Sequence, residues 1–448
     1  MNDSNLIALK RIQEPPKLWW EKLKFLGPSF ILSASIVGSG ELIATTILGA
    51  KAGFTALWVI ILSCLVKVTV QLEFGKHTIL TGESAMNTFS QLKGFSIGRA
   101  KWSLWVVFLI LLPKIIQIGG ILGATAVVVN MLLRAIPLSV CAGIVAFISA
   151  LLIYGGNYHR VELTALIMIL LFTFLTLFSL FSLQYTPYRF SWAEVSSGLG
   201  FHISNDLMLF AIGAFGITGV ASDEIISYTY WCIEKGYAHY TGAMEDTPEW
   251  RNRAKGWIGI MYLDAVVSML IYTTVTVAFY LLGAAILHGR AEIPLGNEVI
   301  ETLAAIYTQT LGSGFKNAYL IGAFFVLFSS VYATLAFWVR LLTDLFGHLG
   351  WIHVQQISKK KKVENILTWL LPTIWVIAYL FINMPVLMVL AGGIAGSVLL
   401  FLVIYVAYYL KYERKQMLPS SFPYNVAFWI SILSILSVGV YGIVKLME

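Results

Sequence analysis

The chain has 448 residues, of which 58% are hydrophobic and only 12% charged, about half the ~25% charged fraction usual in soluble domains. That composition excludes a soluble globular protein. The net charge of +7 does not call for a nucleic-acid partner, because the basic residues cluster between apolar stretches, as they do in membrane proteins.

Residues 1–25, with Lys10, Arg11, Glu14, Lys17 and the pair Pro15-Pro16, are expected to form a cytoplasmic interfacial tail, since no small-residue cleavage site follows the first apolar run. Eleven apolar stretches then follow, each able to cross a ~30 Å hydrocarbon core as a helix. They cover about 26–46, 53–76, 102–133, 136–156, 161–184, 206–232, 256–287, 316–343, 364–383, 385–411 and 423–446. No polar gap is long enough to hold a separate soluble core, so residues 26–448 read as a single transmembrane domain. With the N-terminus inside, 21 of the 30 basic residues fall on the cytoplasmic side and 6 on the other, with Lys67, Lys114 and Arg340 inside helices. This split predicts a cytoplasmic N-terminus and a C-terminus on the opposite face of the cell (inner or plasma) membrane. The run Lys359 to Lys362 then reads as an anchor facing anionic lipid. Cys64, Cys141 and Cys232 have neither metal-type nor disulfide spacing and read as packing residues.

Helix 1 carries Val37-Gly38-Ser39-Gly40-Glu41-Leu42-Ile43, and helix 6 repeats the pattern 183 positions later as Val220-Ala221-Ser222-Asp223-Glu224-Ile225-Ile226. Five helices separate the two starts, so the copies enter the membrane from opposite sides. That predicts an all-α polytopic membrane protein built as a five-plus-five inverted repeat, with helices 1 and 6 interrupted. The first repeat covers about 26–184, the second about 206–411, and an extra helix about 423–446. Gly38, Ser39 and Gly40 favour a break and leave room for a ligand against the backbone, and Ser39 and Ser222 add hydroxyl oxygens. A carboxylate at the bilayer centre costs at least ~2.5 kcal/mol. Glu41, Asp223 and Glu224 therefore need a cation, a proton or a basic partner, and oxygen ligands converging from two broken helices suit a hard divalent metal. Two readings stay open. The three acids line a substrate site, or Lys114 and Lys67 pair with them as fixed salt bridges.

Other polar residues read more locally. Asp206 and Asp264 are expected to cap helix entrances, and Arg340 and Asp344, spaced i, i+4, to pair with each other. None of the seven histidines falls near mid-membrane. Gly119, Gly120 and Gly123 in helix 3, and Gly392, Gly393 and Gly396 in helix 10, predict close helix packing. Tyr228, Tyr230 and Trp231 are candidates to line a vestibule.

Gly27-Pro28 opening helix 1, Val70-Gln71-Leu72 with Leu80-Thr81-Gly82 in helix 2, and Arg160-Val161-Glu162 in helix 5 resemble the Nramp divalent-metal transporters, over about residue 26 to helix 7. The resemblance implies eleven or twelve helices, a leucine-transporter-type fold and proton-coupled uptake of manganese or iron. The binding motifs depart from the family. Its Asp-Pro-Gly-Asn falls on Gly38-Ser39-Gly40-Glu41, its Met-Pro-His on Val220-Ala221-Ser222, and its helix 3 acids on Gln117 and Gly120, which cannot carry a proton.

These features predict a secondary transporter or uniporter for a divalent cation. Its substrate would touch Glu41, Asp223, Glu224, Ser39, Ser222, Gly38 and Gly40, with Gln117 and Lys114 beside them. Loss of the thioether removes the preference for manganese or iron over harder ions such as magnesium, and proton coupling is expected to be weak or absent. The metal is cargo, and no cofactor is expected. The alternative is an amino acid or organic cation transporter of the same fold. An enzyme is not expected, since no His-Glu-x-x-His or phosphate-loop pattern occurs. The expected partners are the lipid bilayer and a small cationic substrate, and a monomer is compatible with the pattern.

Overall fold

A computed structural model describes residues 12–38, 40–155, 158–289, 298, 301, 313–352, 356–414 and 418–447. Nine helices among them are long and apolar enough to cross a membrane: Leu57–Thr81 (helix 2), Trp102–Leu132 (helix 3), Tyr158–Leu183 (helix 5), Phe210–Lys235 (helix 6), Pro248–Leu287 (helix 7), Lys316–His348 (helix 8), Ser358–Ile382 (helix 9), Pro385–Glu413 (helix 10) and Phe422–Tyr441 (helix 11). The bent pair Pro28–Ile36 and Glu41–Ala52 forms helix 1, and the shorter Leu138–Ile153 forms helix 4. Every one of the eleven apolar stretches contains helix, but nine of them, or ten with the bent pair, are long and apolar enough to span, since helix 4 is shorter; helices 7 and 9 begin several residues before the expected limits.

Burial sorts the helices into a centre and a rim. The apolar windows of helices 6 and 8 are 89% and 83% buried, whereas those of helices 5, 9 and 11 are only 28%, 33% and 22% buried. The rim helices expose Leu170, Phe174, Phe181 and Phe381, a surface suited to lipid chains. Small residues let the central helices approach closely. A Cβ on Gly120 of helix 3 would lie 2.7 Å from Met388 Cβ of helix 10, and one on Gly392 would lie 2.2 Å from Gln117 Cβ.

Both predicted interruptions are present. Helix 1 runs as Pro28–Ile36 (1a), turns at Val37 and Gly38, and resumes as a π-helical stretch, Gly40–Thr45, followed by Thr46–Ala52 (1b). Helix 6 stops at Ile217 (6a), passes through an extended Thr218 and restarts at Ser222 (6b). Gly219 takes φ +62°, a left-handed conformation that glycine adopts at little cost. A Cβ there would also lie 2.8 Å from Cys64 Cα of helix 2.

The ends of helix 1a are held by neighbouring helices. Asp264 does not cap its own helix. It lies inside helix 7, fully buried, and accepts from Gly27 N at 2.7 Å and Ser29 N at 2.8 Å, capping helix 1a. Lys235 Nζ donates to Leu26 O at 2.8 Å and Glu162 Oε1 at 2.6 Å, and a Cβ on Gly27 would sit 1.6 Å from that same Glu162 oxygen. Two of the segments that carry the family resemblance, Gly27-Pro28 and Arg160-Val161-Glu162, therefore meet here. At the other end, Ser329 Oγ donates to Ala34 O at 3.0 Å and Ser330 Oγ to Ser35 O at 2.6 Å, serving carbonyls of the last turn before the break.

The expected Arg340–Asp344 pair does not form. Arg340 makes a two-pronged contact with Glu234 at 2.5 and 2.9 Å, while Asp344 accepts from Ser84 Oγ and Tyr230 OH. A planar guanidinium favours a carboxylate that it can meet edge-on, and helix 6b presents one. Tyr230 and Trp231 are buried against Asp344 and Arg340, and Tyr228 against Asp264, rather than lining a vestibule. Beyond helix 2, hydrogen bonds from His77 and Arg414 hold the Glu83 carboxyl well below the usual carboxylate range.

Asp264→Ala is expected to cost about 1–3 kcal/mol, read as a lower thermal midpoint in detergent, and Asp264→Asn, which keeps one acceptor, less. Equal midpoints for wild type and Asp264→Ala would show that helix 1a does not depend on this cap. A Cβ on Gly38 would lie 1.5 Å from Ser330 Oγ and 2.3 Å from Ser330 Cβ, so Gly38→Ala should be destabilising and Ser330→Gly should recover much of the loss in the double variant. Strict additivity of the two changes would refute the contact.

Candidate functional site

The first turn of helix 6b holds Ser222, Asp223 and Glu224, and the N-cap Ala221 supplies no side-chain cap. Free N–H groups and the helix dipole favour negative charge at such an end. Lys114 Nζ of helix 3 lies 2.7 Å from Asp223 Oδ1, with both side chains buried, and 3.2 Å from Gln117 Oε1 one turn further on. The salt-bridge reading therefore holds for Asp223.

Glu224 is placed differently. Its Oε1 accepts from Ser35 Oγ of helix 1a at 3.0 Å, and Thr334 Oγ1 of helix 8 lies 3.4 Å from the same hydroxyl. Its Oε2 is buried with no hydrogen-bond partner among the described residues. Asp223, Glu224, Lys114, Gln117, Ser35 and Thr334 supply the polar lining of one small cavity of about 20 Å³, room for about one water-sized sphere. An unpaired acceptor in such a space is expensive unless it is protonated or meets a cation.

Glu41 does not line that cavity. The break in helix 6 frees the Gly219 N–H, and Glu41 Oε1 accepts it at 3.2 Å, together with Thr276 Oγ1 of helix 7 at 3.3 Å. The carboxylate therefore serves the broken backbone of the other repeat. Its Oε2 is also buried and unpartnered among the described residues. No three acid, histidine or cysteine side chains among the described residues gather as a metal cluster, so Glu41, Asp223 and Glu224 do not form a single three-carboxylate site. Lys67 donates to backbone carbonyls of helix 6 rather than to an acid.

The remaining expected contacts divide. Gln117 lines the cavity, whereas Ser222 is buried outside it with an unpartnered hydroxyl. Gly38 is a packing position against Ser330, Gly40 opens the π-helical stretch, and Ser39 lies outside the described residues. Asp206 is exposed in the turn Asn205–Leu207 that leads into helix 6. Ser35 and Thr334 escaped sequence reasoning. Ser35 was detectable as a hydroxyl just ahead of the Gly38 break, while Thr334 lies in a helix with no motif around it.

The sequence pattern of the Nramp family, described as natural resistance-associated macrophage protein-like, matches residues 29–445, extending the resemblance beyond helix 7 into helix 11. The divalent metal cation transporter MntH of Xanthomonas campestris is 27% identical over 326 residues, covering 71% of this chain and 68% of that protein. An uncharacterised protein of Pasteurella multocida is 24% identical over 331 residues, covering 70% and 68%. Among solved structures, the Eremococcus coleocola manganese transporter in complex with an aromatic bis-isothiourea compound superposes with a TM-score of 0.54 at 14% identity, covering 97% of each chain. MhsT in complex with L-phenylalanine gives 0.56 at 15% identity, covering 96% of this chain and all of the other (100%). At such identities the structural likeness speaks for the fold alone, and it is the family pattern, matched over residues 29–445, that makes this chain a member of the Nramp family of multi-pass membrane transporters, not an enzyme.

Proposed function

We propose that the chain carries a hard divalent cation across the membrane, with Glu224 as its principal ligand and Asp223, Ser35, Thr334 and Gln117 around it. The observation that carries this reading is the unpartnered Glu224 Oε2 in a polar cavity the size of one water. A metal ion fits that space, and an amino acid does not without rearrangement. The donors are all oxygen, which suits magnesium or manganese better than soft metals. The family's thioether position is Val220, which offers no donor. The names of the Xanthomonas and Eremococcus relatives support metal as the cargo.

Lys114 moderates the site. Its ammonium occupies Asp223, so an arriving dication must compete with it or rely on Glu224. That competition favours weak binding and ready release. Alternating access would move the repeat of about 26–184 against that of about 206–411, with the residues 1–25 tail in the cytoplasm and the C-terminus outside the cell membrane, as the 21 to 6 basic split supports. Proton coupling is weak or absent in this reading, because Gln117 and Gly120 stand at the family's helix 3 acid positions.

Protein reconstituted in liposomes with internal dyes for magnesium, manganese and calcium is expected to show uptake with little internal acidification. Glu224→Gln should reduce it about 10-fold or more, while Asp206→Asn leaves it near wild type. Folded protein that takes up no divalent ion, yet is thermally stabilised by an amino acid or amine, would overturn the proposal in favour of an organic substrate.

A further inference from the structure

Lys67 is fully buried partway along helix 2, at the junction between its segments Leu57–Val66 and Val68–Thr81. Its Nζ donates to Phe215 O at 2.5 Å and Thr218 O at 2.6 Å and lies 4.7 Å from the centre of the Phe215 ring. Ser63 Oγ lies 3.1 and 3.0 Å from the same two carbonyls, and Thr218 Oγ1 donates to Ser63 Oγ at 2.8 Å. The ammonium is thus surrounded as a bound ion would be, by backbone oxygens and the face of an aromatic ring.

Those carbonyls belong to the C-terminal end of helix 6a, where the dipole leaves partial negative charge and the last C=O groups have no helical partner. The exposed carbonyls of broken helices are where transporters of this architecture coordinate exchangeable cations. Here the position is already filled from helix 2, whose backbone Gly219 allows to approach within contact of the break. The Thr218 carbonyl and the Gly219 N–H are two ends of one peptide group. One end meets Lys67, and the other donates to Glu41 Oε1 at 3.2 Å. A donor and an acceptor side chain therefore face each other across a single peptide plane, each polarising it in the direction that strengthens the other contact.

We propose that Lys67 is a tethered cation occupying the monovalent-ion position at the end of helix 6a, with Glu41 as its partner across the Thr218–Gly219 peptide. The transport cycle then needs no exchangeable monovalent co-ion. Lys67 and Glu41 are positioning residues that hold the helix 6 break in shape, and the inference does not depend on which cargo Glu224 binds.

The test uses the purified full chain in detergent and reads thermal unfolding in sodium, methylammonium or choline chloride at equal ionic strength. Wild type is expected to melt at the same temperature in all three. Lys67→Ala should melt lower in choline and recover saturably with methylammonium or sodium, ions small enough to enter the emptied position. A sodium requirement in wild type, or a Lys67→Ala variant indifferent to the cation, would overturn the proposal. If Lys67→Ala cannot be purified, Lys67→Met is compared with Lys67→Met/Glu41→Gln. Recovery of folded protein in the double variant supports the peptide-bridged pair, and failure to recover it counts against the pair. No arm measures metal uptake, so failure here leaves the proposed cargo untouched.

Discussion

A peptide N–H or C=O left free in the bilayer interior costs several kcal/mol, and helices 1 and 6 each leave several at their breaks. Much of the central polar chemistry of this bundle answers that cost. Asp264 takes the free N–H groups at the start of helix 1a, and Ser329 and Ser330 serve the carbonyls at its end. Lys67 and Ser63 close the end of helix 6a, and Glu41 takes the Gly219 N–H. With these groups engaged, the start of helix 6b is where a buried side-chain acceptor, Glu224 Oε2, both lacks a partner among the described residues and borders a cavity.

Charge follows the same logic. Lys114 is matched directly by Asp223, and Lys67 faces Glu41 through a peptide group. Glu224 has hydroxyl contact from Ser35 but no basic side chain in ion-pair range among the described residues. A buried carboxylate left outside both pairings is a natural seat for a cation. Gly38, where the resemblance places the family's helix 1 aspartate, is pressed against Ser330, and in the proposed reading Glu224 of helix 6b supplies an acid instead.

The membrane spans were legible because the bilayer requires long apolar stretches, whose limits show in composition alone. The breaks were legible because Gly38 and Gly40 in one repeat, and the matching Ser222-Asp223-Glu224 in the other, interrupt that composition. The pairings were not. Glu41 and Glu224 occupy equivalent positions in the two copies, yet one binds backbone and the other faces a cavity, because the freed N–H of Gly219 comes into reach of helix 1b only once the two repeats interlock. Arg340 chose Glu234 over Asp344, and Asp264 capped a distant helix, for the same reason. Spacing along a chain gives local partners, whereas contacts between helices hundreds of residues apart depend on packing that no single segment encodes.

The proposed cation seat is Glu224 and not Glu41. Crystals of the protein grown with manganese and measured for anomalous scattering test this directly. A manganese peak is expected within about 2–2.6 Å of Glu224 Oε2, beside Asp223 and clear of Lys67. A peak coordinated by Glu41 with none at Glu224, or a cavity filled by an organic amine while manganese is absent, would contradict it.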